Sequence, residues 1–260
     1  MLTMLSEVKG EGEPLVLVPG GLTGWVSWIP FAERLSASRK VVRVQLLSVQ
    51  LGLDGKPLPG DYSPATEKQA LAKTVEALGL TPPVDFAGWS YGAEVTLDFA
   101  LDHPEWVRTL TLIEPAAYWT LPELDAEARR QRDEDLRLSR DDVTEDDLAL
   151  FLHGAGLVPR QTNPRELPAW PVWVQHRQSL RAVPSIAEYQ ADSGRLSRFT
   201  TPTLLVKGTE STPLDRRVVD KLAEQLPNPQ VTELSGDHAC HIISMEEFLQ
   251  GMAAFQAKAE

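Results

Sequence analysis

Val84-Asp85-Phe86-Ala87-Gly88-Trp89-Ser90-Tyr91-Gly92-Ala93-Glu94-Val95-Thr96-Leu97-Asp98-Phe99-Ala100-Leu101 is the stretch on which the reading of this chain turns. A strand-like run, Val84 to Ala87, enters Gly88-Trp89-Ser90-Tyr91-Gly92, and a helical run from Ala93 to Leu101 leaves it. That is the G-x-S-x-G pattern in the strand–turn–helix setting it requires. A turn this sharp forces the serine into a strained backbone conformation, so only glycine fits two positions before and two positions after it. The Ser90 hydroxyl is thereby held above the end of a sheet. The N–H groups that open the next helix point into the same space.

The rest of the chain agrees with one large α/β domain. Its 260 residues are 42% hydrophobic and 24% charged, ordinary for a globular protein with a substantial core. No apolar run approaches the length of a membrane span, and Met1-Leu2-Thr3-Met4-Leu5-Ser6-Glu7 does not read as a signal peptide. A single cysteine, Cys240, rules out an internal disulfide and points to a reducing, cytoplasmic setting. The net charge of -12 argues against nucleic acid or an anionic membrane as partner.

Strand and helix signals alternate, which predicts a mostly parallel sheet covered on both faces. Leu15–Val18, Val41–Leu46, Val84–Ala87, Val107–Ile113, Pro202–Val206 and Gln230–Leu234 read as strands. Ala65–Leu78, Leu214–Leu226 and Glu246–Lys258 read as helices. Residues 116–200 contain no convincing strand. This part is expected to be a helical cap inserted between core segments 1–115 and 201–260. Between Leu121 and Leu150 stand 11 acidic and 5 basic residues, a net of -6, so these helices are expected to face solvent. The tryptophan-bearing run Leu167 to Val174 is expected to roof a cavity.

A serine needs a base to take its proton. Of five histidines, His103 follows the helix after Ser90 and points away from the expected active edge. His238, in Leu234-Ser235-Gly236-Asp237-His238, follows the last strand and falls on the same edge as Ser90. His241 is the competing base. The two histidines lack further ligands at a useful spacing, so no metal site is expected.

The order of parts resembles the α/β-hydrolase family from Pro14 to about Phe255: a Gly-Gly loop after an early strand, G-x-S-x-G, a helical insertion, and a Gly-x-His loop before the last helix. The resemblance implies Ser90 as nucleophile and His238 as base. It implies an oxyanion hole from the backbone N–H groups of Gly21, or alternatively Leu22, and Tyr91. Pro19 stands where relatives have histidine, which leaves the backbone donors intact. The position where most relatives carry the triad aspartate is Ser211, within Gly208-Thr209-Glu210-Ser211-Thr212-Pro213. Two carboxylates compete for that role. Glu114, in Leu112-Ile113-Glu114-Pro115, is favoured over Glu210, because the resemblance extends to branches of the family that place the acid there and because a half-buried carboxylate at a strand end needs a partner. Short motifs, including Trp170-Pro171-Val172-Trp173-Val174, resemble those of Ser-His-Glu lactonases that open resorcylic lactones. The loop Gln45 to Gly52 departs from the family pattern and is expected to border the pocket.

The expected activity is cofactor-free hydrolysis of a hydrophobic small-molecule ester or lactone by a monomer or homodimer. Leu22, Trp25, Trp89, Trp119, Trp173 and His176 are the expected pocket walls, beside Tyr91. Carbon–carbon bond cleavage or lyase chemistry on the same residues, and a non-catalytic binding module, remain the alternatives.

Overall fold

The computed structural model describes residues 2–121 and 123–259; Met1 and Glu260, the outer ends of the expected core segments, and Pro122 of the insertion lie outside the described residues. Seven strands form one sheet: β1 (Ser6–Lys9), β2 (Pro14–Val18), β3 (Lys40–Val44), β4 (Val84–Trp89), β5 (Val107–Ile113), β6 (Thr203–Gly208) and β7 (Pro229–Leu234). Their spatial order is β1-β3-β2-β4-β5-β6-β7, with β1 antiparallel to β3 and every other pairing parallel. β4 lies in the middle and is buried along its whole length, which explains its near-continuous apolar sequence. The chain has the α/β-hydrolase fold. Among the described residues no helix is long and apolar enough to cross a membrane.

Eleven α-helices are described. The first four are α1 (Ile29–Leu35), α2 (Leu47–Leu53), α3 (Pro64–Ala77) and α4 (Tyr91–Asp102). Between β5 and β6 come α5 (Ala126–Leu136), α6 (Glu145–Gly154), α7 (Trp170–His176) and α8 (Val183–Glu188), joined by 3-10 turns, with no strand among the described residues there. The chain ends with α9 (Pro213–Gln225), α10 (Cys240–Ile243) and α11 (Met245–Gln256).

Two departures from the sequence reading have local causes. β1, in the polar run Ser6-Glu7-Val8-Lys9, carries no alternation signal and exists because the edge of β3 offers it hydrogen bonds. The segment expected to be a pocket-bordering loop, Gln45 to Gly52, instead forms α2. The buried Glu67 carboxylate of α3 accepts hydrogen bonds from the first amides of α2, Leu47 at 2.8 Å and Ser48 at 2.9 Å. A charge at that end of a helix both satisfies free N–H groups and opposes the helix dipole. Glu67 also accepts from the Tyr62 hydroxyl at 2.6 Å, and Tyr62 shares a 2.9 Å hydrogen bond with the hydroxyl of Tyr91, the first residue of α4. The opening of the helix behind Ser90 is thus tied into a buried polar chain.

The turn between β4 and α4 is as tight as the sequence requires. A Cβ on Gly92 would lie 2.2 Å from the Pro19 carbonyl oxygen, and one on Gly88 2.6 Å from Ala93 Cα. Both obstacles are backbone, which has nowhere to yield. Gly92→Ala should therefore exceed the roughly 1–3 kcal/mol usual for overpacking and lower Tm by at least about 4 °C. Gly251→Ala, in α11 with open space around it, should leave Tm unchanged or raise it. Thermal unfolding of the two variants checks the contrast.

Candidate active site

Three segments meet at the carboxyl ends of the central strands. Ser90, between β4 and α4, has φ 54° and ψ -122°. Glu114, the residue after β5, has φ 44°. They are the only non-glycine residues at positive φ among those described, and both turn toward the same imidazole. Residues held in this sparsely populated region persist only where the surroundings fix them. Here the ladders do so: Ser90 N–H donates to the Ile113 carbonyl at 2.8 Å, and Glu114 N–H to that of Val206 at 3.0 Å.

His238 stands on the loop between β7 and α10. Its Nδ1 is 3.1 Å from Glu114 Oε2, and its Nε2 is 2.9 Å from Ser90 Oγ. A carboxylate can only accept, so Nδ1 carries the hydrogen on the Glu114 side, and once the ring is neutral Nε2 is left to accept from the Ser90 hydroxyl. The other oxygen of Glu114, Oε1, accepts from Gly208 N–H at 2.7 Å, so the carboxylate is fixed at both ends. From below, Trp89 Nε1 donates to the His238 carbonyl at 2.8 Å.

The sequence reading passed over a further carboxylate. Asp215, in the first turn of α9, places Oδ2 3.6 Å from His238 Nδ1 and is only 4% exposed. Thr212 holds it, donating its hydroxyl to Oδ2 at 2.6 Å and accepting from the Asp215 amide at 3.2 Å. That Thr-x-x-Asp spacing reads in sequence as an ordinary helix start. The pointer to more was its place just past the end of β6, on the active edge. Ser211 is buried with its hydroxyl unpartnered, while Glu210 is exposed and uses its backbone N–H to reach the Gly236 carbonyl.

Burial acts against the charged form of His238. Asp215 and then Glu114 outweigh it and raise the imidazole to about 9. Burial is also the main reason Asp215 is raised to about 6, with His238 pulling the other way. Glu114, Asp215 and His238 each bring one potential ligand atom within 4.8 Å of the others, so these groups could hold a cation. The sequence offered no such set around its histidines. The set is assembled from chain segments far apart, and it excludes His241. That residue sits in a cage of Trp28, Phe31, Trp89 and Phe248 with neither ring nitrogen partnered, and burial lowers it to about 3.

A cavity of about 60 Å³ opens above Ser90. Gly21, Tyr91 and His238 border it on the core side, and its lid comes from Gln131 and Asp135 of α5, the end of α6, and residues 179–186. Gly21 packs against the Tyr91 ring, so both expected oxyanion-hole residues lie beside Ser90.

The other expected wall residues are elsewhere. Leu22 is buried with Val143, Leu148, Leu152, Val158, Leu180 and Val183, pinning the insertion to the core, and Trp173 packs on that cluster. Trp25 lies under the Arg43 guanidinium at 5.8 Å. Trp119 faces a separate surface cleft with Arg129 and Arg132. His176 has its Nδ1 2.8 Å from the Val172 carbonyl. Trp89 supports His238 from below, as described above. Among the described residues, none of the tryptophan-bearing run Leu167 to Val174 lines this cavity. Its lid draws instead on α5 and the end of α6, from the charge-rich part of the insertion that was expected to face solvent, together with residues 179–186.

The family model described as "Alpha/beta hydrolase family" matches residues 15–250. The chain belongs to the α/β-hydrolase family. Among curated α/β-hydrolase relatives, "Putative carbamate hydrolase RutD" of Klebsiella pneumoniae (strain 342) is 28% identical over 244 residues, covering 91% of this chain and 89% of that protein. The 2-hydroxy-6-oxo-2,4-heptadienoate hydrolase of Pseudomonas putida (strain F1) is 35% identical over 107 residues, 40% of this chain and 38% of that protein. The esterase EaEST from Exiguobacterium antarcticum superposes with a TM-score of 0.78 at 17% identity, over 99% of this chain and 100% of that one. At that identity the likeness concerns the fold alone. The chain is an α/β-hydrolase enzyme whose relatives act in several hydrolytic reactions.

Only the neutral imidazole can accept the Ser90 proton, so kcat/KM for an activated ester should rise with pH through a midpoint well above the usual 6.5, approaching 9. Asp215→Asn should move that midpoint down by about 1 unit or more, read from the pH–rate profile. By linkage, the raised imidazole stabilises the fold fully below about pH 6.5, and this contribution fades as pH climbs through about 9.

Proposed function

We propose that this protein is a serine hydrolase of small carboxylic esters, with Ser90 as nucleophile, His238 as base and Glu114 as triad acid. The observation that carries the reading is the continuous path Ser90 Oγ, His238 Nε2, His238 Nδ1, Glu114 Oε2, with steps of 2.9 Å and 3.1 Å across the ring.

In the forward reaction Ser90 Oγ attacks the ester carbonyl carbon while His238 Nε2 takes its proton. The resulting oxyanion accepts hydrogen bonds from the amides of Gly21 and Tyr91, each such donor being worth about 10² to 10³ in rate. Glu114, and Asp215 beside it, stabilise the imidazolium that forms. Collapse of the intermediate breaks the carbonyl–alkoxide bond. His238 Nε2–H protonates the departing alkoxide, leaving the acyl group on Ser90. Water then gives a proton to His238 and attacks the acyl carbon. The acid leaves, and the proton returns to Ser90. These groups supply nucleophile, base and charge, so the sequence of steps draws on no cofactor.

The cavity bears on the substrate. A volume of about 60 Å³ accommodates a few water molecules, which favours short acyl or alkyl groups over a macrocyclic lactone. One relative is named for hydrolysis of a dienoate, and so of a carboxylate. Among the described residues no Lys or Arg lines this cavity to receive one, which favours an ester without that charge over a substrate of that kind.

A fluorophosphonate probe should label the wild-type chain and leave Ser90→Ala unlabelled, with kcat on p-nitrophenyl acetate falling at least about 10⁴-fold. Glu114→Gln should lose about 10³-fold or more in kcat, and Glu210→Gln less than about threefold. Equal losses in the two glutamate variants, with folding retained, would move the acid away from Glu114.

A further inference from the structure

The wall opposite Ser90 holds a group with no part in the steps just described. Asp135, near the end of α5, is 6% exposed and lines the catalytic cavity. Among the described residues its carboxyl has one hydrogen-bond partner, Gln131, whose Nε2 donates to Oδ1 at 3.2 Å. Asp135 also lines a larger outer pocket of about 390 Å³. Gln131, Asp135, Phe151 and Gly154 border both spaces, so Asp135 stands between them.

The surroundings of this carboxyl are one-sided. In the catalytic cavity Asp135 and Asp215 line the wall, the only basic side chain there among the described residues is His238, and the remaining wall is mostly apolar, including Leu180, Val183, Ile186 and Leu214. Outside it, Arg137 and Arg160 are balanced by Glu134 and Asp147. The segment Leu121 to Leu150, which supplies α5 and most of α6, carries a net of -6 from 11 acidic and 5 basic residues. A buried carboxyl with one neutral partner is costly, and a cation arriving beside it would offset that cost. Burial is the main reason Asp135 is raised to about 7, with Asp215 and Glu134 adding to it, so a positively charged ligand would favour its ionised form.

We propose that Asp135 is a specificity-determining residue and that the esters this enzyme prefers carry a protonated amine, which the Asp135 carboxylate receives at the cavity wall while Ser90 attacks the ester carbonyl. The inference rests on the hydrolase reading above and adds the chemical class of the substrate. The amine undergoes no chemistry; its charge and N–H group are what the site reads. Whole-chain charge would draw cations toward the protein in any case. Asp135 therefore has to be separated from that general field by substitution.

The test uses three acetates of nearly equal shape: 2-(dimethylamino)ethyl acetate, protonated at neutral pH, 3-methylbutyl acetate, neutral, and 3-acetoxypropanoate, anionic. The same three charge types are then placed on the acyl side of methyl esters. Wild type should prefer the cation over its neutral isostere by on the order of tenfold or more in kcat/KM in at least one series, and should turn over the anion least. Asp135→Asn should remove most of that preference while neutral-ester turnover stays within about threefold, a rate that also reports correct folding. Raising the salt concentration should weaken the cation preference of wild type more than that of the variant. Equal rates for cation and neutral ester in both series, or a preference that survives Asp135→Asn, would overturn the assignment while leaving the hydrolase intact. Absence of turnover of every ester, together with no labelling of Ser90 by a fluorophosphonate, would instead remove the hydrolase reading, and this inference with it.

Discussion

The hydrogen bond between His238 Nδ1 and Glu114 Oε2 joins two groups that would each be costly to bury alone. To make it, the chain must bring the end of β5 and the loop after β7 to the same point, and both must stand over the turn that lifts Ser90. The parallel sheet does this. β4, β5 and β6 are adjacent and point the same way, so their carboxyl ends form one edge, with the loop after β7 beside it. Backbone hydrogen bonds then hold the participants rigidly. Gly208 N–H fixes one oxygen of Glu114, and Ile113 and Val206 hold the amides of the two residues forced to positive φ. The strain sits at the two positions where orientation matters most.

The electrostatic setting follows from the same convergence. Two carboxylates, Glu114 and Asp215, face one imidazole nitrogen, at 3.1 Å and 3.6 Å. The pair favours the imidazolium more than a single acid would, which helps a reaction that forms imidazolium while raising the pH at which the free base becomes available. His241, three residues on, shows the opposite outcome. In an aromatic cage without a carboxylate, burial, with repulsion from His238 added, decides, and the ring is held neutral.

Much of the fold was legible because it depends on local pattern. The apolar runs at Leu15, Val41, Val107 and Thr203 all became strands of the sheet, and G-x-S-x-G between a strand and a helix became the strained turn at Ser90. Glu114 could be singled out because a carboxylate at the end of an apolar strand needs a partner. The pocket was not legible. Tryptophans read as cavity walls because they are large and apolar, yet those properties send them to whatever core is nearest: Trp173 to the cluster around Leu22, Trp89 beneath His238. Asp135 and Asp215 were hidden for the converse reason. Acidic residues in a charged run or at a helix start look like solvated ones until another element covers them.

The sequence by itself determined the alternation of strands and helices, the sharp turn that exposes Ser90, and the candidacy of His238 and Glu114, because each is a matter of spacing along a few residues. Only the tertiary structure decided which carboxylates reach the imidazole, which helix roofs the cavity and what charge faces the substrate. Those depend on distances between segments far apart in the chain, 124 positions for Glu114 and His238, and such distances are set by how the sheet orders its strands and how the insertion packs back over them.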